Sequence, residues 1–389
     1  MEDLKELDKM YIANTYSRFP VEIKYGEGSI ISDEDGKQYI DMGGGIAVNI
    51  FGMQDKAWKN AVISQLNKFQ HTSNLYYTEP CVTLAKLLIE KTGMKKVFFS
   101  NSGAEANECA IKAIRKYAQD KKGPDYYTII TLKNSFHGRT LATLAATGQE
   151  DYHKDFLPLT EGFISVTPGD INELENTVKN NKCAGILIET IQGEGGVVPL
   201  DPNYIQQVYS LAQEKDLVFA IDEVQTGNGR TGKLYSYMHY SIKPDIITTA
   251  KGLGGGLPIG ATVLGEKVEF VLSAGKHGST FGGNPVCAAG AVSIISRIND
   301  KLLSDVMQKS EIVFETLSQA PGIKSVTGKG LMIGIETEKE VDKVVNECIE
   351  KGVLVLKAKN KVRLVPPLNI GVSELKKALS IILEVCAAI

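Results

Sequence analysis

Short, nearly uninterrupted apolar runs recur up to residue 264 of the chain, and they constrain its fold more than any other feature. Branched and aromatic residues dominate each run with little polar alternation, which is typical of strands buried on both faces of a sheet. The runs lie at 97–100, 127–131, 185–189, 217–222, 246–249 and 261–264. Helical patterns lie among or after them, at 104–119, 203–215 and 285–298. This alternation predicts an α/β fold with a mostly parallel central sheet covered by helices.

The charge balance and the cysteine spacing exclude several classes of protein. The chain carries 43 basic and 46 acidic side chains, a net charge of −3, whereas nucleic acids and anionic membranes select a clear basic excess. The start of the chain has no apolar core, so no secretory signal is expected. The six cysteines have the spacing of neither a disulfide scaffold nor a zinc site. We therefore expect a cytoplasmic protein with reduced thiols, and no nucleic acid, membrane or metal as its partner.

The first candidate site follows the strand at 97–100. In open parallel sheets ligands gather beyond the carboxyl ends of the strands, and here the sequence Ser-Asn-Ser-Gly-Ala-Glu-Ala-Asn (100–107) ends a strand and opens a helix. Ser102 and Glu105 fit an N-terminal capping box, which is a structural role. Gly103 and Ala104 leave the first-turn amides free, so a phosphate at the positive helix end is the second interpretation.

Two charged residues follow later strands. Asp222 ends the most hydrophobic strand, where a buried carboxylate needs a cation or a donor. It is either a cap or ion-pair partner, or the partner of a protonated ring nitrogen. Lys251 is either a solvated surface residue or a desolvated amine whose lowered pKa makes it a nucleophile. The Gly-Leu-Gly-Gly-Gly loop after it matches neither a Walker loop nor a dinucleotide fingerprint.

Arginine is scarce, with six residues against 37 lysines, so the chain uses lysine where it needs only a positive charge. Arginine in a loop then points to bidentate recognition of a carboxylate, which an ammonium group does not provide. Arg139 and Arg363 fit this description, and an ordinary ion pair is the alternative for both. His137 is interpreted as a hydrogen-bonding residue rather than as a general base.

These candidates describe an anion cradle, an acid for a ring nitrogen, a Schiff-base lysine and two carboxylate-binding arginines. That set suits a pyridoxal-phosphate enzyme that acts on an amino acid. The chain resembles the class III, fold-type I aminotransferases and, within that class, the acetylornithine aminotransferase family. The stretches that carry the resemblance are His-Thr-Ser-Asn-Leu-Tyr-Tyr-Thr-Glu-Pro (71–80), Asn-Ser-Gly-Ala-Glu-Ala-Asn (101–107), Ser-Phe-His-Gly-Arg-Thr (135–140), Gln-Gly-Glu-Gly-Gly (192–196), Asp-Glu-Val-Gln-Thr (222–226), Ala-Lys-Gly (250–252) and Ser-Thr-Phe-Gly-Gly-Asn-Pro (279–285).

The resemblance implies pyridoxal 5′-phosphate as the cofactor and assigns residues to it. Lys251 would bind the cofactor covalently and then carry the substrate proton, and Asp222 would keep the ring nitrogen protonated. The other implied contacts are Ser102, Gly103 and Ala104 together with Thr280 of the partner subunit at the phosphate, Phe136 and Val224 on the two ring faces, Gln225 at the ring hydroxyl, and Glu223 beside it. A phosphate site shared in this way implies a homodimer.

The resemblance also implies that two arginines form the substrate side of the site. Arg139 would hold a substrate carboxylate, with Ser279 close by. Arg363 would be masked by Glu194 for one substrate and freed for the α-carboxylate of glutamate. This exchange would let one site accept a terminal amine and an α-amine in turn.

The same resemblance implies a division into domains. Residues 1–45 would be an N-terminal segment that contributes to the small domain, 46–299 the large cofactor-binding domain, and 300–389 a small α+β domain. A change of pattern after Asn299 agrees with this division, because helical stretches there alternate with short strands. Glycine clusters flank Glu194, Lys251 and Thr280, where we expect backbone clearance for the cofactor.

The implied reaction transfers the terminal amine of N-acetylornithine to 2-oxoglutarate and yields N-acetylglutamate 5-semialdehyde and glutamate, as in arginine biosynthesis. Succinylornithine, succinyldiaminopimelate, ornithine and 4-aminobutyrate are alternative amine donors, because an acyl group needs only room. An aminomutase, racemase or decarboxylase on the same fold and a non-catalytic binding protein are further alternatives. One departure is visible: Gly-Met-Gln-Asp-Lys stands at 52–56, where members of the family commonly carry Gly-His-x-His-Pro.

Overall fold

The computed structural model describes residues 3–388. Its helices are α1 (Leu4–Tyr11), α2 (Gly44–Ala47), α3 (Lys56–Leu66), α4 (Glu79–Thr92), α5 (Gly103–Lys122), α6 (Leu141–Ala146), α7 (Ile171–Asn180), α8 (Pro202–Glu214), α9 (Pro285–Arg297), α10 (Asp300–Leu317), α11 (Val341–Glu350) and α12 (Val372–Ala387). None of the described helices is both long and apolar enough to cross a membrane.

The strands form a central sheet, two smaller sheets and a short ribbon. They are β1 (Ile23–Glu27), β2 (Ile30–Asp33), β3 (Gln38–Asp41), β4 (Lys96–Ser100), β5 (Thr128–Leu132), β6 (Phe163–Val166), β7 (Cys183–Ile188), β8 (Ile191–Gln192), β9 (Val198–Pro199), β10 (Val218–Asp222), β11 (Ile246–Thr249), β12 (Gly260–Leu264), β13 (Ile323–Lys329), β14 (Met332–Thr337), β15 (Val353–Leu354), β16 (Leu356–Ala358) and β17 (Lys361–Leu364).

The central sheet has seven strands in the order β4-β12-β11-β10-β7-β5-β6. The five strands from β11 to β6 run parallel, whereas β12 runs antiparallel to both of its neighbours. β7 and β10 are buried along their whole length, which explains why their sequences do not alternate. The predicted α/β architecture with a mostly parallel sheet is therefore confirmed.

Helices cover both faces of this sheet, and β10 shows how. Val218 and Ala220 pack in one apolar cluster with side chains of α5. Phe219 and Ile221 point to the opposite face and belong to the cluster that contains the buried side of α8. Because successive strand residues alternate between faces, one strand contributes to two cores. The sheet is held rigidly in place by this burial, and its carboxyl edge is therefore a fixed platform for side chains.

The two ends of the chain share a small sheet. β1, β2 and β3 pair in sequence, and β15 from the C-terminal part adds to them in parallel to β3. β13, β14, β17 and β16 form a second four-stranded sheet. This pairing agrees with a small domain drawn from both ends, while the domain boundaries at residues 45 and 299 stay a prediction.

The segment α2 winds in the left-handed sense. Gly44, Gly45, Ile46 and Ala47 all have positive φ, between 54° and 63°. Glycine adopts this conformation readily, but for a β-branched residue such as Ile46 it is strained. Strain of this kind persists only where the surroundings enforce it, and it is common next to functional sites.

Gly185 of β7 generates a prediction about stability. An added Cβ there would lie 2.5 Å from the Val218 carbonyl oxygen and 2.7 Å from Cγ2 of Ile114 on α5. We expect Gly185→Ala to lower the free energy of unfolding by about 1–3 kcal/mol through overpacking, as measured by urea denaturation of the cofactor-free protein. Gly278→Ala is the control, since nothing lies within 4 Å of its added Cβ. Equal stability of the two variants would contradict the packing described for β7.

Candidate active site

A cavity of about 500 Å³ lies at the carboxyl edge of the central sheet. Residues at or just beyond the ends of β4, β5, β7, β10 and β11 line it together with the loop that precedes β12. They are Val48, Asn101, Ser102, Gly103, Ala104, Asn107, Phe136, His137, Gly138, Arg139, Glu189, Asp222, Val224, Gln225, Ala250, Lys251, Gly256, Leu257, Pro258 and Ile259. The fold thus gathers most of the residues singled out from the sequence into one space.

Lys251 lies just after β11 on the wall of this cavity. Its backbone has a φ of +46°, a conformation that is uncommon for a residue with a side chain. Burial lowers the pKa of Lys251; Glu194 attracts its charged form and Arg363 repels it. The amine is therefore neutral over a wider pH range than a surface lysine, and the neutral form is the nucleophile.

Asp222 is buried at the end of β10 and is held by three donors. Its Oδ2 accepts hydrogen bonds from Asn107 Nδ2 at 2.7 Å and from His137 Nδ1 at 2.8 Å, and its Oδ1 accepts one from the Val224 amide at 3.0 Å. Asn107 is itself oriented by Thr248, which donates to its Oδ1 at 2.7 Å. A carboxylate fixed in this way is preorganised to receive a further cationic or N–H group from the cavity.

The N-terminus of α5 opens onto the same cavity. Ser102 caps the helix, because its Oγ accepts a hydrogen bond from the Glu105 amide at 3.2 Å, and Glu105 in turn accepts one from the Asn101 amide at 2.7 Å. An added Cβ at Gly103 would lie 2.7 Å from Cγ1 of Val224. The capping role therefore exists, and it coexists with a positive helix end that faces the cavity and suits an anion.

Arg363 is buried on β17 and pairs with Glu194. Its Nη1 donates to Glu194 Oε1 at 2.5 Å and to Gln225 Oε1 at 3.1 Å. Burial raises the pKa of Glu194, but the charge and the hydrogen bond of Arg363 outweigh it, and the pKa lies below its ordinary value. The pair is charged and shields the guanidinium, whose Nε has no hydrogen-bond partner among the described residues.

Arg139 has the opposite environment. It is exposed at the cavity and its guanidinium lies 5.1 Å from the ring centroid of Tyr152. No ion pair of Arg139 with a described acidic residue is formed. The two arginines predicted from the sequence are thus unequal, because one is free and the other is covered.

Five predicted residues are not among those that line the cavity: Glu194 and Arg363, described above, and Glu223, Ser279 and Thr280. Glu223 points away from it, and its carboxylate accepts hydrogen bonds from the Ser236 and Tyr237 amides at 2.9 and 2.7 Å. Ser279 and Thr280 lie outside this wall, although Asn101 Nδ2 donates to Ser279 Oγ at 3.1 Å.

The glycines beside Lys251 have a different role from the one expected. An added Cβ at Gly252 would lie 2.5 Å from Cδ1 of Ile50, and one at Gly254 would lie 2.0 Å from the Leu257 carbonyl oxygen. The space that these glycines leave is filled by the protein itself. Gly252 and Gly254 therefore permit close packing of the loop that holds Lys251, whereas Gly256 lines the cavity.

Sequence reasoning assigned no role to Glu189, which the structure places in the cavity wall. Its carboxylate accepts hydrogen bonds from the Phe136 amide at 3.0 Å and from the Gly193 amide at 3.2 Å. Burial raises its pKa to about 7, while His137 attracts its charged form and Asp222 repels it. Its signal in the sequence was the same as that of Asp222, a carboxylate at the end of a fully apolar strand.

Comparisons with known proteins agree over the whole chain. The family model Aminotransferase class-III matches residues 11–386. Acetylornithine aminotransferase from Haemophilus ducreyi is 47% identical over 99% of this chain and 98% of its own length. Succinylornithine transaminase from Citrobacter koseri is 43% identical over 91% of this chain and 89% of its own. The ornithine aminotransferase structure from Toxoplasma gondii has a TM-score of 0.95 at 31% identity and covers 100% of this chain and 95% of its own.

The Glu194–Arg363 pair generates a prediction about pH. Because the folded-state pKa of Glu194 lies below its ordinary value of 4.5, its charge stabilises the folded protein above that value, and the contribution is lost as the pH falls through the folded pKa. Glu194→Gln should therefore be less stable than the wild type at pH 7, and the difference should vanish in acid. Thermal unfolding of both proteins from pH 7 down to pH 3 measures this. A difference that stays constant or grows in acid would contradict a charged pair.

Proposed function

Because the chain belongs to the class III aminotransferases, we propose that it transfers the terminal amine of N-acetylornithine to 2-oxoglutarate. The products are N-acetylglutamate 5-semialdehyde and glutamate, a step of arginine biosynthesis. As a member of this class the protein is a pyridoxal 5′-phosphate-dependent aminotransferase. The acyl-ornithine substrate is favoured by the relatives named above, and the contrast between Arg139, which lines the cavity, and Arg363, which Glu194 covers, supplies the physical argument.

The cavity suits pyridoxal phosphate in its donors and in its shape. The open N-terminus of α5 would hold the phosphate, and Gly103 brings that helix close to Val224, which lines the same cavity. When bound, this cofactor withdraws electrons from the substrate carbon that bears the reacting amine. The residues that we assign to it are Ser102, Gly103, Ala104, Phe136, Asp222, Val224, Gln225 and Lys251, with Thr280 of the partner subunit. Glu223, which the resemblance implied, is left out because its carboxylate is held by the Ser236 and Tyr237 amides.

Lys251 and Asp222 are the proposed catalytic residues. The Lys251 amine would hold the cofactor covalently. Once Lys251 is released, its Nζ would accept the proton from the substrate carbon that bears the reacting amine and then give it up again. Its lowered pKa favours the neutral form needed for both tasks. Asp222 would hold a proton on the ring nitrogen by its negative charge, and the hydrogen bonds from Asn107 and His137 keep its Oδ2 in position.

The observation that carries the proposal is that Arg139 is exposed at the cavity, whereas Arg363 is buried and paired with Glu194. N-Acetylornithine brings one carboxylate, which the free Arg139 binds, while the Glu194–Arg363 pair stays closed. Glutamate brings two carboxylates, and the second replaces Glu194 on Arg363. A guanidinium can bind the carboxylate of either substrate in a bidentate manner. The same site therefore serves both half-reactions, and only the Glu194–Arg363 pair has to open.

Other terminal-amine donors fit the same arrangement through their α-carboxylate. The similarity to succinylornithine transaminase and to ornithine aminotransferase makes succinylornithine and ornithine the second candidates. Both would use Arg139 in the same way, because they differ from N-acetylornithine only at the α-amine. The cavity must discriminate among these donors at the α-nitrogen, which carries an acetyl group, a succinyl group with a second carboxylate, or no acyl group, and a pocket that only leaves room for the acyl group gives modest selectivity.

We also propose a homodimer with shared sites. The side chains of Leu75 and Tyr77 are 88% and 98% exposed, and Asn74 Nδ2 joins their turn to the Thr280 turn by donating to the Ser279 and Gly282 carbonyl oxygens at 3.0 and 2.9 Å. A second copy would cover these apolar side chains and receive Thr280. The free cysteines suit a cytoplasmic location.

A panel of amine donors tests the proposed substrate. N-Acetylornithine, N-succinylornithine, N-succinyldiaminopimelate, ornithine and 4-aminobutyrate are each supplied with 2-oxoglutarate, and kcat/KM is measured from glutamate formation. N-Acetylornithine should have the highest value. A donor that exceeds it at least about tenfold, a difference of roughly 1.4 kcal/mol, would overturn the assignment. Turnover that does not require 2-oxoglutarate would indicate another reaction type.

Arg139→Lys tests how the carboxylate is held. Lysine keeps the charge but loses the bidentate geometry, and the loss of one charge-assisted hydrogen bond should raise KM about tenfold or more. Steady-state kinetics with the amine donor varied gives this value. Arg115→Lys is the control, because Arg115 donates to the Tyr127 and Glu161 carbonyl oxygens outside the cavity, and its KM should stay unchanged. An unchanged KM in Arg139→Lys would show that Arg139 provides only charge.

A further inference from the structure

Glu189 joins two loops that are far apart in the sequence. It follows β7, is 5% exposed, and uses one carboxylate oxygen for each loop. Oε2 accepts a hydrogen bond from the Phe136 amide, and Oε1 accepts one from the Gly193 amide, at 3.0 and 3.2 Å. The two donors are separated by more than fifty residues of chain, so the carboxylate is a cross-link between them.

Each loop carries groups of the proposed site. The first contains Phe136 and Arg139, which line the cavity. The second contains Glu194, directly after Gly193, and Glu194 receives the hydrogen bonds of Arg363 and Gln225. The amide that Glu189 holds is therefore one peptide unit from the residue that covers Arg363.

We propose that Glu189 is a positioning residue that fixes the Phe136 loop and the Glu194 loop relative to each other and thereby favours the closed Glu194–Arg363 pair. Its effect on substrates rests on the proposed function, because a closed pair is required by the single-carboxylate amine donor and not by glutamate. Glu189 does not hold substrate in this account. It acts through the backbone of the two loops.

Comparison with Glu223 shows why this contact is more than ordinary burial. Glu223 also accepts two backbone hydrogen bonds, but from the consecutive residues Ser236 and Tyr237, so it fixes one segment only. Glutamine at position 189 would keep a single acceptor oxygen, and its amide group would meet the other N–H as a second donor. The substitution therefore breaks one arm of the cross-link with little change of volume.

Hydrogen–deuterium exchange of the full-length protein, with and without pyridoxal phosphate, tests the cross-link without any substrate. In Glu189→Gln the peptide whose amide loses its acceptor, either the one that contains Phe136 or the one that contains Gly193, should exchange faster than in the wild type. Asp245→Asn is the matched control, because Asp245 accepts the Phe219 amide at 2.9 Å away from the cavity, and it should leave both loop peptides unchanged. Wild-type exchange in both loops would overturn the proposal.

Half-reaction kinetics test the consequence for substrates. Glu189→Gln should raise KM about tenfold for the amine donor that the wild type uses best, and less than about threefold for glutamate. Equal increases for both substrates would show a merely structural role and refute the link to the pair. If the wild type prefers another donor to N-acetylornithine, the proposed substrate fails while the comparison with glutamate still decides the role of Glu189.

Glu189→Asp provides a second variant should the glutamine variant fail to fold. Aspartate keeps the charge but is one methylene group shorter, so it can reach only one of the two amides. At least one loop should then exchange faster, with the same direction of change in the KM ratio. Wild-type exchange in both loops together with a wild-type KM ratio would refute the proposal.

Discussion

The desolvation of the Lys251 amine is the constraint on which the rest of the site depends. A lysine beyond a buried strand is costly as a cation, and the backbone there adopts a positive φ that the packed glycine loop enforces. Asp222 lies on the adjacent strand in register with Thr248, so the parallel sheet sets both groups at one edge. The chemistry of an amine nucleophile and a fixed carboxylate follows from strand order and burial.

A second constraint is the burial of Arg363. A guanidinium taken out of water needs a partner, and Glu194 and Gln225 supply the acceptors. Since Arg363 belongs to the C-terminal sheet and Glu194 follows a strand of the central part of the chain, the pair also connects the two regions. Burial makes an acidic partner for Arg363 necessary. Because a carboxylate of glutamate can replace Glu194 in that role, the same pair lets the site accept two substrates.

Much of this arrangement was predictable, because buried parallel strands leave a clear pattern. The strands at 97–100 and 246–249 were located almost to the residue, and Asp222, Lys251 and the opening of α5 were found by looking just beyond strand ends. β6 was missed, since its four residues give a short and weak signal. Asn107 and Glu189 received no role, because a hydrogen bond to Asp222 or to two distant amides depends on tertiary placement that spacing does not encode.

Other features were beyond sequence reasoning for physical reasons. The direction of the Glu223 side chain depends on the turn at Ser236, and the glycines at 252 and 254 are required by neighbouring protein atoms rather than by a ligand. The left-handed turn at 44–47 contains Ile46, whose type argues against such a conformation. In each case the local sequence is overruled by packing that forms only in the folded chain.

The central claim is that Lys251, among 37 lysines, is the residue that holds the cofactor. Borohydride reduction of the protein loaded with pyridoxal phosphate makes this attachment permanent, and peptide mass spectrometry then locates it. The account predicts a single modified peptide with the cofactor on Lys251. Modification of another lysine in its place, with Lys251 unmodified, would contradict it.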